Sequence, residues 1–158
     1  MSGERDILEA NERYASGFDL GTLPREPKRN VVVVTCMDAR IDPLALLGLE
    51  IGDASVLRNA GGLVTDDVLR SLAVSHAVLG TREAIVIGHT ECGLHGTSNA
   101  DLRDLVGSGE DVDFLPFADL DESVRESVRR IRESPLLPSS FRSSGYVYDV
   151  RSGRLRSL

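Results

Sequence analysis

Two short, unbroken apolar runs constrain this chain more than any other feature. Residues 31–35 (VVVVT) and 84–87 (AIVI) are rich in β-branched residues and do not alternate with polar ones. That is the pattern of strands covered on both faces, as in a parallel sheet packed between helices. Parallel neighbours need a crossover, and the intervening segment supplies one. Thr65 can cap a helix whose Val68, Leu69, Leu72, Ala73, Val78 and Leu79 face inward, with Gly80 ending it. Asp42 followed by Pro43 opens a shorter helix through Leu47, and residues 54–57 form a further strand candidate. Strand, helix, strand, helix, strand in this order predicts an α/β fold with a right-handed, mostly parallel central β-sheet flanked by helices.

Before this core, residues 4–18 place Ile7, Leu8, Tyr14 and Phe18 at helical spacing among charges, the mark of an amphipathic helix. Residues 21–30, with Pro24 and Pro27, read as a linker. A helix set off in this way is expected to be an arm that packs on another subunit. The chain is therefore expected to be a single domain, with 1–28 as N-terminal arm and linker and 29–158 as the α/β core. Residues 97–106 read as helix and 107–118 as loop. Residues 120–132 read as a surface helix with Val124, Val128 and Ile131 inward, and residues 145–150 as a strand that turns at 151–153 into a hairpin.

At 158 residues and 41% apolar, the chain can bury a core without disulfides. Its net charge of −7 is spread among interspersed arginines, which argues against a nucleic-acid partner. No apolar run approaches the ~20 residues that cross a bilayer, and the charged opening lacks a secretory apolar region. No membrane partner is expected, and the location is expected to be cytoplasmic. Two cysteines there read as free thiols or metal ligands.

Cys36 falls at the carboxyl end of the first strand, His89 just past the third, and Cys92 shortly after it. Sites in open α/β sheets form beyond such ends, where strand order reverses. If the first and third strands are neighbours, the three side chains converge. Two thiolates and an imidazole favour zinc, and three protein ligands leave a coordination position for water, which is the catalytic pattern. Taken singly, each residue reads as an ordinary buried cysteine or histidine; the paired motifs weaken that reading. The two cysteines lack close Cys-x-x-Cys spacing, which disfavours a redox role. The loop Arg58-Asn59-Ala60-Gly61-Gly62 lacks nucleotide-fingerprint spacing, and its glycines either bring backbone close to the pocket or simply form a tight turn. His76 reads as a surface or interface residue. His95 reads as a solvated loop histidine, with proton transfer as its alternative role.

Cys36-x-Asp38-x-Arg40 followed by His89-x-x-Cys92, with Arg58-Asn59-Ala60-Gly61 between, resembles the β-class carbonic anhydrases across residues 30–95. The Met37-Asp38-Ala39-Arg40 and His89-Thr90-Glu91-Cys92-Gly93 wording is most similar to the short prokaryotic branch. The resemblance implies one Zn2+ per chain on Cys36, His89 and Cys92. It implies a zinc lyase (carbonate dehydratase) that reversibly hydrates carbon dioxide to bicarbonate and a proton through zinc-bound hydroxide. Asp38 and Arg40 would be catalytic: Asp38 accepts a hydrogen bond from the hydroxide, and Arg40 holds Asp38 by a bidentate pair. An unrestrained Asp38 would itself become a fourth ligand, so Arg40 acts as a gate. A homodimer or dimer-based oligomer is also implied. Two alternatives stay open: hydrolysis of carbon disulfide or carbonyl sulfide on the same framework, and a non-catalytic zinc-binding module with Asp38 permanently on the metal.

Overall fold

A computed structural model describes residues 4–107 and 109–158. Strands β1 (Val31–Cys36), β2 (Ala54–Asn59), β3 (Glu83–His89), β4 (Arg142–Tyr148) and β5 (Leu155–Ser157) form one sheet in the order β2-β1-β3-β4-β5. The first four are parallel and β5 pairs antiparallel with β4. Helices α1 (Glu4–Ser16), α2 (Pro43–Leu47), α3 (Asp66–Leu79), α4 (Asn99–Val106) and α5 (Leu120–Glu133) complete the chain. The expected α/β architecture is therefore present. No helix among the described residues is long and apolar enough to cross a membrane.

The two apolar runs are where the sheet is most enclosed. Val32, Val33 and Val34 of β1 and Ala84, Val86 and Ile87 of β3 are fully buried, because both strands have a neighbour on each side. Val32, Val34, Ala84 and Val86 pack with Val68 and Leu72 of α3 and Val124, Val128 and Ile131 of α5. Local chemistry sets the helix ends. The Asp42 carboxylate accepts from Leu44 and Ala45 N–H at the start of α2, and Thr65 Oγ1 accepts from Val68 N–H at the start of α3. Gly80 ends α3 in the left-handed conformation.

Three expectations need correction. Val78 is exposed, because the buried stripe of α3 runs through Val68, Leu72 and Ser75, and position 78 lies well round the helix from it. Ser75 is buried there instead, with its hydroxyl accepting from Thr81 Oγ1. Strand β4 begins at Arg142, earlier than 145, since its polar opening pairs backbone to backbone with β3 and Arg142 forms an ion pair with Glu83. The amino-terminal helix stops at Ser16, short of 18. Part of the expected 107–118 loop, Ser108, lies outside the described residues; the remainder carries only an isolated bridge between Phe117 and His95.

Gly62 shows how tightly the sheet end is closed. It sits at φ +66°, and a Cβ there would lie 2.7 Å from the Cys36 amide nitrogen and 2.9 Å from the Thr35 carbonyl carbon. Gly80 is also left-handed but has nothing within 4 Å. Gly62→Ala should therefore cost roughly 2–5 kcal/mol, combining left-handed strain with overpacking. Gly80→Ala should cost only about 1–2 kcal/mol. Denaturant unfolding of the two variants checks the difference; equal losses would mean that the Gly62 contact relaxes freely.

Candidate metal centre

Because β1 and β3 pair in parallel with Thr35 opposite Ile87, their carboxyl ends leave the sheet side by side. Thr35 Oγ1 donates to the Ile87 carbonyl at 2.9 Å across this buried end. Cys36 is the last residue of β1 and His89 the last of β3, and the chain then turns through Thr90 and Glu91 to bring Cys92 back. The ligand atoms of Cys36, His89 and Cys92 lie within 4.8 Å of one another, all three side chains buried, and form a group that could hold a metal ion.

Hydrogen bonding decides which histidine nitrogen is available. His89 Nδ1 lies 2.9 Å from the Thr90 carbonyl oxygen, which can only accept, so Nδ1 carries the proton. Nε2 then presents a lone pair, and it is buried without a hydrogen-bond partner. A buried unpaired polar atom costs roughly 1–3 kcal/mol. This one has two sulfur atoms beside it.

The two sulfurs are close enough for one thiol to donate to the other. Cys36 is pulled down to about 4, chiefly by the Cys92 thiol donating to it; burial opposes this, and His89 and the Asp38 and Gly61 amides support it. Cys92 is pushed above its ordinary range because its proton is held by Cys36, with burial adding to the effect. Burial pushes the His89 imidazolium down, but the adjoining Cys36 sulfur outweighs it and the net direction is up.

Asp38 lies at the edge of this cluster, with Oδ2 3.9 Å from His89 Nδ1. Arg40 donates to it three times: backbone N–H to Oδ1 at 2.9 Å, Nε to Oδ1 at 3.0 Å and Nη2 to Oδ2 at 2.8 Å. The Arg40 side chain first, and its backbone N–H second, hold the Asp38 carboxyl well below the usual carboxylate range. The expected Asp38–Arg40 pair is therefore formed. Its contribution to stability is complete above the ordinary carboxylate pKa and is lost only as pH falls through the lower folded value.

Sequence reasoning missed three participants. Arg58 Nε donates to the Cys36 carbonyl at 2.9 Å and its Nη2 to the Asp38 carbonyl at 2.7 Å, pinning the backbone on both sides of Met37. Glu91 accepts from Arg40 Nη1 at 3.0 Å and also from Arg151 Nε. Arg58 and Glu91 lay inside motifs already singled out; nothing in the sequence points to Arg151. Gly62 carries the close approach expected of the Arg58–Gly62 loop segment, and Leu94, Ile41, Leu63 and Phe117 supply an apolar shell around the cysteines. His95 stacks on Phe117 and His76 meets the Thr81 carbonyl, so neither joins the donor group. A cleft of about 640 Å3 between α5 and β4–β5 contains none of the three donors; convergent buried donors, not cleft size, locate this site.

The carbonic anhydrase family profile matches residues 31–109. β-Carbonic anhydrase 1 of Mycobacterium tuberculosis is 42% identical, over 100% of this chain and 99% of that protein. Carbon disulfide hydrolase of Acidithiobacillus thiooxidans is 33% identical, over 94% of this chain and 85% of that one. The crystal structure of carbonic anhydrase from Streptococcus mutans superposes with a TM-score of 0.92 at 46% identity, covering 100% of this chain and 98% of that one. The chain belongs to the β-carbonic anhydrase family of enzymes.

Arg58→Gln should lower stability by about 1 kcal/mol through loss of two charge-assisted hydrogen bonds on a partly exposed side chain. It should also lower metal affinity about tenfold, as supporting contacts of a ligand usually do. Competition with a chromophoric chelator reads the affinity, and an unchanged value would remove Arg58 from the site.

Proposed function

We propose that Cys36, His89 and Cys92 hold one Zn2+ and that the chain reversibly hydrates carbon dioxide to bicarbonate and a proton. The observation that carries this reading is the buried, partnerless Nε2 of His89 beside the two sulfurs of Cys36 and Cys92. Two thiolates and one imidazole are donors that suit zinc, and a set of three protein ligands leaves a position open. Zinc bound there supplies a positive charge and lowers the pKa of coordinated water.

The chain's own residues do the rest. Asp38 Oδ1 is filled by two donors from Arg40, whereas Oδ2 receives one and keeps a lone pair on the side nearest His89. That free acceptor can hold the proton of an attacking water-derived group and fix the direction of its remaining lone pair. Arg40 prevents Asp38 from turning to become a ligand itself. Ile41, Leu63 and Leu94 offer a small apolar molecule a dry wall. Hydrolysis of carbon disulfide is the second reading, supported by the relative that bears that name.

The same proposal extends to assembly. Ile7, Leu8, Tyr14 and Phe18 are 60%, 56%, 56% and 49% exposed along and just beyond α1, an apolar stripe that this chain does not cover. Residues 1–28 then act as an arm of one domain whose core is 29–158, clasping a second copy in a homodimer. Two unpaired cysteines accord with a cytoplasmic location.

Zinc content and carbon dioxide hydration measured on one preparation should give about one metal per chain and turnover that rises with pH as coordinated water ionises. Stoichiometric zinc with sulfide release from carbon disulfide and no hydration would favour the second reading. Arg40→Ala should keep its zinc and lose at least about tenfold in turnover, the size usual for loss of a support to the metal's surroundings; stopped-flow rates near wild type would remove the gate. Deleting residues 1–25 should shift sedimentation toward monomer, and an unchanged profile would count against the arm.

A further inference from the structure

We infer that Glu91 and Arg151 are positioning residues for Arg40, forming an outer clamp that keeps the Asp38–Arg40 pair in register. This rests on the gate reading of that pair. Arg40 is held from two sides. Its Nε and Nη2 face Asp38, while Nη1 donates to Glu91 Oε2 at 3.0 Å and Nη2 reaches the Glu91 carbonyl at 3.3 Å. The other Glu91 oxygen, Oε1, accepts from Arg151 Nε. One carboxylate thus ties a residue beside the donor group to the turn between β4 and β5.

Both ends of the clamp are built. The turn is organised by Asp149, whose carboxylate accepts from the Arg151 and Ser152 N–H groups at 2.9 and 2.8 Å. Thr90, next to Glu91, donates its N–H to the Tyr148 carbonyl at 3.0 Å, and its hydroxyl accepts from Val150 N–H at 3.1 Å. The segment from His89 to Cys92 is therefore stitched to the same turn that presents Arg151.

Backbone conformation gives the second, independent observation. Glu91 sits at φ +58°, a left-handed conformation that glycine adopts without strain and a long side chain does not. A residue chosen for backbone comfort would be glycine. The strained glutamate instead places its carboxylate between two guanidinium groups, the pattern in which local strain accompanies a functional contact. Arg40 is 47% exposed and Arg151 82%, so each ion pair adds little to global stability. What Glu91 changes is the freedom of Arg40: without it, that side chain is anchored to Asp38 alone.

These facts set stability and turnover in opposite directions, which a merely structural surface pair would not do. The test uses the full-length zinc-loaded protein with Glu91→Gly, Glu91→Gln, Arg151→Gln and Arg151→Lys, and Arg40→Ala as reference. The readouts are the thermal midpoint, kcat at neutral pH, and a crystal structure showing the Asp38 carboxylate relative to the metal. Glu91→Gly should match or exceed the wild-type midpoint, lose about tenfold in kcat, and show Asp38 turned toward the metal. Glu91→Gln keeps the strain and removes only the charge, so it should lose kcat without gaining stability, which covers the case in which Glu91→Gly folds poorly. Arg151→Gln should lose severalfold and Arg151→Lys should recover much of it. Wild-type kcat with Asp38 unmoved in both Glu91 variants overturns the clamp while a slow Arg40→Ala leaves the gate standing. An Arg40→Ala variant as fast as wild type overturns the gate and the clamp together.

Discussion

The parallel pairing of β1 with β3 is the constraint on which the candidate metal centre depends. A parallel ladder fixes register over its whole length, and here it sets Thr35 against Ile87 so that Cys36 and His89 emerge from the sheet within reach of each other. β2 lies on the far side of β1 and β4 on the far side of β3, so strand order reverses between them and the outgoing segments diverge. The crevice left behind is closed from above by Gly62, packed against the Cys36 amide, and bordered by Leu94 and Ile41. A one-residue slip would send Cys36 to the opposite face and dissolve the group.

Electrostatics follow from that placement. Two sulfurs and an imidazole meet under cover, with the Cys92 thiol proton directed at Cys36 and the unpartnered His89 Nε2 beside them. A divalent cation would take the place of that proton and satisfy the lone pair at once, so binding should release a proton and stabilise the fold together. Arg58 contributes from outside the donor set: its hydrogen bonds go to backbone carbonyls, and among the described residues no carboxylate forms an ion pair with it, so its positive charge lies beside the centre in a chain of net charge −7.

The parts of this arrangement legible in sequence are those encoded by burial or by neighbours in the chain. β1 and β3 were visible because cover on both faces demands unbroken apolar runs, and α2 and α3 because Asp42, Thr65 and Gly80 are caps with local chemistry. Asp38 and Arg40 are two residues apart, so their pairing could be foreseen. The first half of β4 could not, since Arg142, Ser143 and Ser144 are held by backbone pairing and carry no apolar signal. Val78 misled because a valine near the end of a helix matches the period loosely while a serine, satisfied by Thr81, takes the buried seat. Glu91 and Arg151 escaped for a different reason: their partnership spans 60 positions, and the left-handed backbone at Glu91 has no sequence mark in a glutamate.

Exposure around the site bears on how firmly its charges are held. Met37 is 67% exposed next to a proposed ligand, and Arg40, Glu91 and Arg151 all face solvent in the single chain. Charge pairs in that setting are screened by water and salt over about 8–10 Å, whereas the same pairs under a protein cover interact several times more strongly. In a dimer whose second copy covers Met37, the Asp38–Arg40–Glu91–Arg151 chain would tighten without any change in its own contacts. The exposed stripe on α1 and the exposed rim of the candidate metal centre thus leave both apolar and charged surface open in the single chain, and the charge pairs at that rim are held by their geometry more than by burial.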